Sequence, residues 1–147
     1  MKILANDGIS AAGQHAVEQA GYTVITAKVA QDDIPNYLNT EGVEILLVRS
    51  ATAARAALID ACPNLKLIGR GGVGMDNIDV SYAREKGITV INTPASSSQS
   101  VAELVMGQLF SISRFLNDSF KHMEHGDFST LKKNYGKGVE LRGKTLG

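Results

Sequence analysis

Apolar residues gather in five short runs over the first 93 residues: KILAN (2–6), YTVITA (22–27), EILLVRS (44–50), LKLIG (65–69) and ITVINT (88–93). Four of them are rich in Ile, Val and Leu, with little polar alternation, as expected of strands covered on both faces in a parallel sheet. Helical patterns fall between the runs. Residues 10–20 begin at Ser10, a hydroxyl N-cap, and stop at Gly21, where a left-handed cap is easily adopted. Residues 31–39 carry Pro35 in an early turn. Residues 53–61 follow Thr52 as N-cap and end before Pro63, and residues 80–86 follow Asp79 and end at Gly87. Strands and helices alternating in this way predict βαβ units with right-handed crossovers.

The economical fold is therefore an α/β open parallel sheet of five βα units, flavodoxin-like or Rossmann-like. The pattern changes after Pro94. A polar loop, ASSSQS, leads into Ser100-Val101-Ala102-Glu103, which has the form of a capping box. From there one helical pattern runs to about His125, with Leu104, Phe110, Phe115 and Phe120 near helical spacing. A helix of roughly 25 residues would be about 38 Å long. Its apolar stripe is broader than a 98-residue domain needs and predicts a second domain or a second subunit against it. The last 22 residues are polar and glycine-rich and close on KTLG, which reads as the opening of a strand. The expected division is 1–98 and 99–147, with the second part leading into a further domain.

Composition narrows the function. Fifteen basic residues balance fifteen acidic ones among 147, so no nucleic-acid or acidic-lipid surface is expected. No apolar run approaches a membrane span, and the N-terminus MKILANDG lacks the form of a secretory signal, so a cytoplasmic protein is expected. The one cysteine, Cys62, reads as a small half-buried residue of a reducing compartment. His122 and His125 stand three apart near a helix end and read as solvated residues; no metal is expected.

IGRGGVGMDNID (68–79) contains G-x-G-x-x-G at Gly69, Gly71 and Gly74. A dinucleotide fingerprint must turn from the first strand directly into a helix, with an acidic residue about 20 positions on. Here the feeding strand is the fourth, the next helix start is Asp79, and the following strand ends in Asn92-Thr93-Pro94. The loop fails as a pyrophosphate site. It can instead act as a nest, with backbone N–H groups at Val73 and Gly74 turned toward an anion, or simply as a tight turn. Arg49 ends the third strand at the edge where open α/β sheets bind ligands, followed by the hydroxyls of Ser50 and Thr52. With Ser96–Ser98 after the fifth strand, three anion-friendly loops share one edge, and a small acidic ligand is expected there. Asn6 and Asp7 end the first strand where a receiver-type signalling domain has acidic residues, but the other positions of that pattern hold Arg49 and Asn92–Thr93.

LLVRSAT, LKLIGRGGVGMDNID, GITVINTP, SVAELVMG and GVELRGKTLG, in this order and spacing, resemble the D-isomer-specific 2-hydroxyacid dehydrogenases. The resemblance covers nearly the whole chain. It implies a substrate domain at 1–98, a crossover helix from 99, and the start of an NAD-binding domain near the end. It implies NAD as cofactor, with its glycine motif and the catalytic Arg, Glu and His all beyond residue 147, so that no catalytic residue is in this chain. Carried over by position, Arg49 and Ser50 would meet the polar end of a small phosphorylated hydroxy or oxo acid. The Gly72–Val73–Gly74 backbone would hold its carboxylate, with Val73 also near the nicotinamide. Ser97 would complete the substrate site, at a position where many members have Asn. A homodimer or homotetramer through helix 100–125 and the further domain is implied. Family members acting on unphosphorylated acids share most of these motifs, and a non-enzymatic acid-binding module is the alternative class.

Overall fold

A computed structural model describes residues 1–147, which divide into two compact units, Met1–Ser96 and Ser97–Gly147. The first unit is a parallel five-stranded sheet, β1 (Lys2–Ala5), β2 (Thr23–Ile25), β3 (Val43–Val48), β4 (Leu67–Arg70) and β5 (Thr89–Asn92), in the order β2-β1-β3-β4-β5. Helices α1 (Ala11–Gln19), α2 (Ile34–Glu41), α3 (Ala56–Ala61) and α4 (Val80–Glu85) connect the strands, with a 3₁₀ turn at Gln31–Asp33 before α2. The five strands and four helices expected from the apolar runs are all present. The order makes the fold doubly wound, with its switch between β1 and β3.

The two faces of the sheet differ. Side chains alternate along a strand, so Leu4, Leu46, Val48, Ile68 and Val90 share one face, where they join Ile34, Leu38, Leu58 and Ile59 in the main core. Leu4, Leu46 and Ile68 have no exposure at all. Cys62 belongs to this core, and burial pushes its thiol pKa up, consistent with a packing role. On the opposite face Ile3, Ala5 and Ile45 are buried, but α1 contributes no buried residue and Ile91 is 50% exposed.

Two helix starts differ from expectation for the same reason. Ser10 caps α1 by accepting from Gly13 N at 3.1 Å. Thr52 does not cap α3, because its hydroxyl is engaged by Asn6 and Asp7 (2.8 Å each), and α3 begins four residues later. Asp79 makes no capping bond to α4; its carboxylate accepts from Arg55 Nη1 and Ala56 N and so ties α4 to the start of α3. Those two bonds hold Asp79 below the usual carboxylate range.

The second unit holds α5 (Ser98–Ser113), α6 (Leu116–His122) and α7 (Phe128–Tyr135). The single long helix expected over 100–125 is therefore two. Phe115 adopts a left-handed conformation, φ 56°, between them. Neither glycine nor proline marks this break. The Phe115 ring meets Tyr135 at 6.1 Å between centroids, and Val139 N donates to the Ser113 carbonyl freed by the break, at 2.9 Å. These contacts offset the roughly 1–2 kcal/mol that a left-handed residue costs. The capping box is not formed either: α5 starts at Ser98, and Glu103 accepts from Gln99 Nε2 instead. In the expected polar tail, Asp127 accepts from Thr130 N at 2.7 Å and starts α7, and residues 144–147 pair with no strand.

Candidate functional site

A cavity of about 720 Å³ opens at the carboxyl edge of the sheet in the first unit, lined by residues at the ends of β1, β3, β4 and β5. Open α/β sheets bind ligands outside these strand ends. Its floor is a row across three strands, Leu47 opposite Gly69 and Gly69 opposite Ile91. A Cβ on Gly69 would stand 2.7 Å from Leu47 Cδ2. The first glycine of G-x-G-x-x-G thus lies within β4 and keeps the floor open; it makes no turn. The next helix, α4, begins only at Val80. This geometry does not fit a pyrophosphate, for which a glycine turn must deliver a helix N-terminus.

Two arginines line the cavity, Arg49 past the end of β3 and Arg70 at the end of β4. Sequence reasoning singled out Arg49 and missed Arg70. Both follow from one fact, that parallel strands end together at this edge, and the Val48–Arg70 register would have pointed to the second arginine. A Cβ on Gly72 would collide with Arg70 Nη1, so this glycine allows the guanidinium to lie against the loop.

The loop carrying Arg49 and Ser50 is held from β1. Asp7 Oδ2 accepts from Arg49 N (2.7 Å) and Thr52 N (3.0 Å), while Oδ1 accepts from the Thr52 hydroxyl (2.8 Å) and Lys28 Nζ (2.7 Å). Burial opposes ionisation of Asp7, whose side chain is 4% exposed, but these bonds together outweigh it and hold the carboxyl well below the usual range. Asn6, also buried, binds Val29 N and O and the Thr52 hydroxyl.

The glycine loop is tied to β5, since Thr93 N donates to Gly72 O (3.1 Å) and Asn92 Nδ2 to Val73 O (2.7 Å). Gly72 N donates to Arg70 O, whereas no protein acceptor meets the N–H groups of Val73 and Gly74. Val73 itself is 52% exposed. Ser50 is exposed on its loop. Ser97 lies in the second unit, at the N-cap of α5, where its hydroxyl makes no capping bond. His122 Nδ1 is 2.9 Å from the Asp118 carbonyl oxygen in α6. No helix is long and apolar enough to cross a membrane.

Fold and cavity together define an open, doubly wound α/β protein with an arginine-bearing cleft at the switch edge of its sheet. The family profile described as D-isomer specific 2-hydroxyacid dehydrogenase, catalytic domain, matches residues 3–138, and the chain belongs to that family. It is 49% identical over 105 residues to the hydroxypyruvate reductase of Thermotoga maritima, covering 71% of this chain and 33% of that one. It is 37% identical over 147 residues to the D-3-phosphoglycerate dehydrogenase of Methanocaldococcus jannaschii, covering 100% of this chain and 27% of that one. The chain thus spans about a quarter to a third of the length of these relatives. A solved NAD⁺-bound 3-phosphoglycerate dehydrogenase of Entamoeba histolytica aligns over 78% of this chain and 39% of its own, at TM-score 0.64 and 27% identity. A D-mandelate dehydrogenase of Rhodotorula graminis, 19% identical, shares the fold over 95% of this chain and 45% of its own, at TM-score 0.75.

Proposed function

We propose that this chain is the substrate-binding part of an NAD-dependent D-2-hydroxyacid dehydrogenase of the cytoplasm that oxidises 3-phosphoglycerate to 3-phosphohydroxypyruvate, the entry to serine biosynthesis. The observation that carries the reading is a cleft with Arg49 and Arg70 in its lining; the glycine loop that continues from its Gly71 leaves the N–H groups of Val73 and Gly74 without a protein acceptor. A phosphorylated hydroxy acid has two anionic ends. Arg49 and Ser50 take the phosphate, since a guanidinium binds it bidentately. The N–H groups of Val73 and Gly74 take the carboxylate. This division holds C2 of the substrate in a fixed orientation, which is the chain's contribution to the rate.

NAD, when bound, accepts the hydride lost from C2. The family resemblance would place the exposed Val73 side chain near its nicotinamide. The acid–base group and the pyrophosphate loop belong to the further length of a dehydrogenase, so this chain alone should not oxidise NADH with 3-phosphohydroxypyruvate. The exposed apolar residues of α5 and α6 fit a homodimer or homotetramer.

Calorimetric titration of the chain with 3-phosphoglycerate and with glycerate tests the reading. Arg49→Gln should weaken 3-phosphoglycerate by about tenfold or more and glycerate by about twofold at most, as expected for loss of one charge-assisted contact. The 49% identity to a hydroxypyruvate reductase favours a second reading, an unphosphorylated acid in the same cleft. Equal affinity for both acids, unaffected by Arg49→Gln, would select it.

A further inference from the structure

We infer that Asn77, which lies outside the cavity lining, is a positioning residue that fixes the Arg49–Thr52 loop and holds the Arg70 guanidinium beside it. This inference rests on the reading of that loop as the anion-binding one.

The loop from Arg49 to Thr52 belongs to no helix or strand, so its shape depends on what binds its backbone. Its N–H side is held by Asp7, through Arg49 N and Thr52 N. Its carbonyl side is held by one group. Asn77 Nδ2 donates to Arg49 O at 2.8 Å and to Thr52 O at 2.6 Å, which uses both hydrogens of the amide. The remaining atom of that amide, Oδ1, accepts from Arg70 Nε at 3.3 Å. One side chain therefore touches the loop bearing the first arginine and the guanidinium of the second.

Asn77 is itself anchored through its backbone. Its carbonyl accepts from Ala54 N at 2.9 Å, and Asp79 N donates to Ala54 O at 3.1 Å, around the parallel bridge between Ala54 and Ile78. The backbone bridge does not depend on the Asn77 side chain. Removing the amide thus leaves the connection between residues 54 and 78 in place and frees the carbonyl side of the loop and Arg70, so that Asp7 alone holds the loop. Asp cannot substitute: its oxygens would accept from Arg70 but would face the carbonyls of Arg49 and Thr52 without a hydrogen between them. The geometry makes the placement of the Arg49–Thr52 loop relative to the Arg70 guanidinium a property of Asn77, and with it the position of the anion-binding loop.

The test uses the 147-residue chain with Asn77→Ala and Asn77→Asp, reading amide hydrogen exchange by NMR and the Kd for 3-phosphoglycerate. Exchange at Arg49 and Thr52 should quicken about tenfold relative to Leu46 in β3, as expected of a segment that opens locally while the core stays closed. The Kd should weaken about tenfold in both variants, the scale of a displaced orienting contact. Unchanged exchange at Arg49 and Thr52 in both folded variants would overturn the inference, whatever the ligand does. Quickened exchange with an unchanged Kd would overturn it as well, because the residue would then be structural only. Quickened exchange in a chain that binds no 3-phosphoglycerate in its natural form would support the clamp and sink the substrate reading.

Discussion

The two units have comparable shares of large apolar residues and use them in opposite ways. In Met1–Ser96 they close a core, with Leu4, Ile34, Leu46 and Ile68 fully withdrawn from water. In Ser97–Gly147 no residue is buried: Leu104 is 62% exposed and Phe120 88%. Apolar area removed from water stabilises by about 25 cal/mol per Å². The first unit therefore draws its stability from within. The second has an apolar surface that gains only from a partner. An apolar pattern in a sequence identifies a face to be covered; it does not say whether the cover is part of the same chain.

That contrast predicts its own largest effect. Leu46→Ala, in the centre of β3, should cost about 3–5 kcal/mol in urea unfolding, the cost of a cavity in a packed core. Leu104→Ala in α5 should change the monomer by no more than about 0.5 kcal/mol, as surface substitutions do. Equal losses at the two sites would erase the distinction.

Asp7 supplies the next effect, at the point where the core meets the cleft. Asp7→Asn places an amide NH₂ among the N–H donors of Arg49 and Thr52 and should cost about 2–3 kcal/mol at neutral pH. The sign of its pH dependence follows from a carboxyl held below its ordinary value in the folded state. Its stabilisation is complete above the unfolded value, near pH 4, and is lost as pH falls further toward the folded value. The gap between the natural chain and Asp7→Asn should stay constant from about pH 7 to 5 and narrow below about pH 4. A gap that narrows above pH 5 would contradict the network drawn around Asp7.

Within the first unit, Gly69→Ala should be mildest. The added Cβ, 2.7 Å from Leu47 Cδ2, displaces the end of a flexible side chain into the cavity. A cost of about 1 kcal/mol in stability is expected for such overpacking. Weaker 3-phosphoglycerate binding, with Asp7 and Asn77 untouched, would locate the ligand over this floor.

Much of the first unit was legible in the sequence because its signals are local. Continuous Ile/Val/Leu runs mark buried parallel strands, and Ser10, Gly21 and Gly87 act where the chain must start or stop a helix. Thr52 and Asp79 misled because the same side chains serve long-range bonds, to Asp7 and Arg55, that no local pattern reveals. Arg49 stood out as a charge at the end of an apolar run. Asn77, in MDNID, has no such contrast, and its role exists only through residues 25 and 28 positions away. The break at Phe115 was invisible for a related reason: it is held by Tyr135 and Val139, with no glycine or proline to announce it.

In the proposed function the cleft over β3 and β4 grips a small acid at both ends. The direct measurement is an NMR titration of the ¹⁵N-labelled 147-residue chain with 3-phosphoglycerate. The predicted result is saturable shifts concentrated at the amides of Ser50, Val73 and Gly74 and at the Arg49 and Arg70 side chains. Shifts confined to other surfaces, or none at saturating ligand, would contradict it.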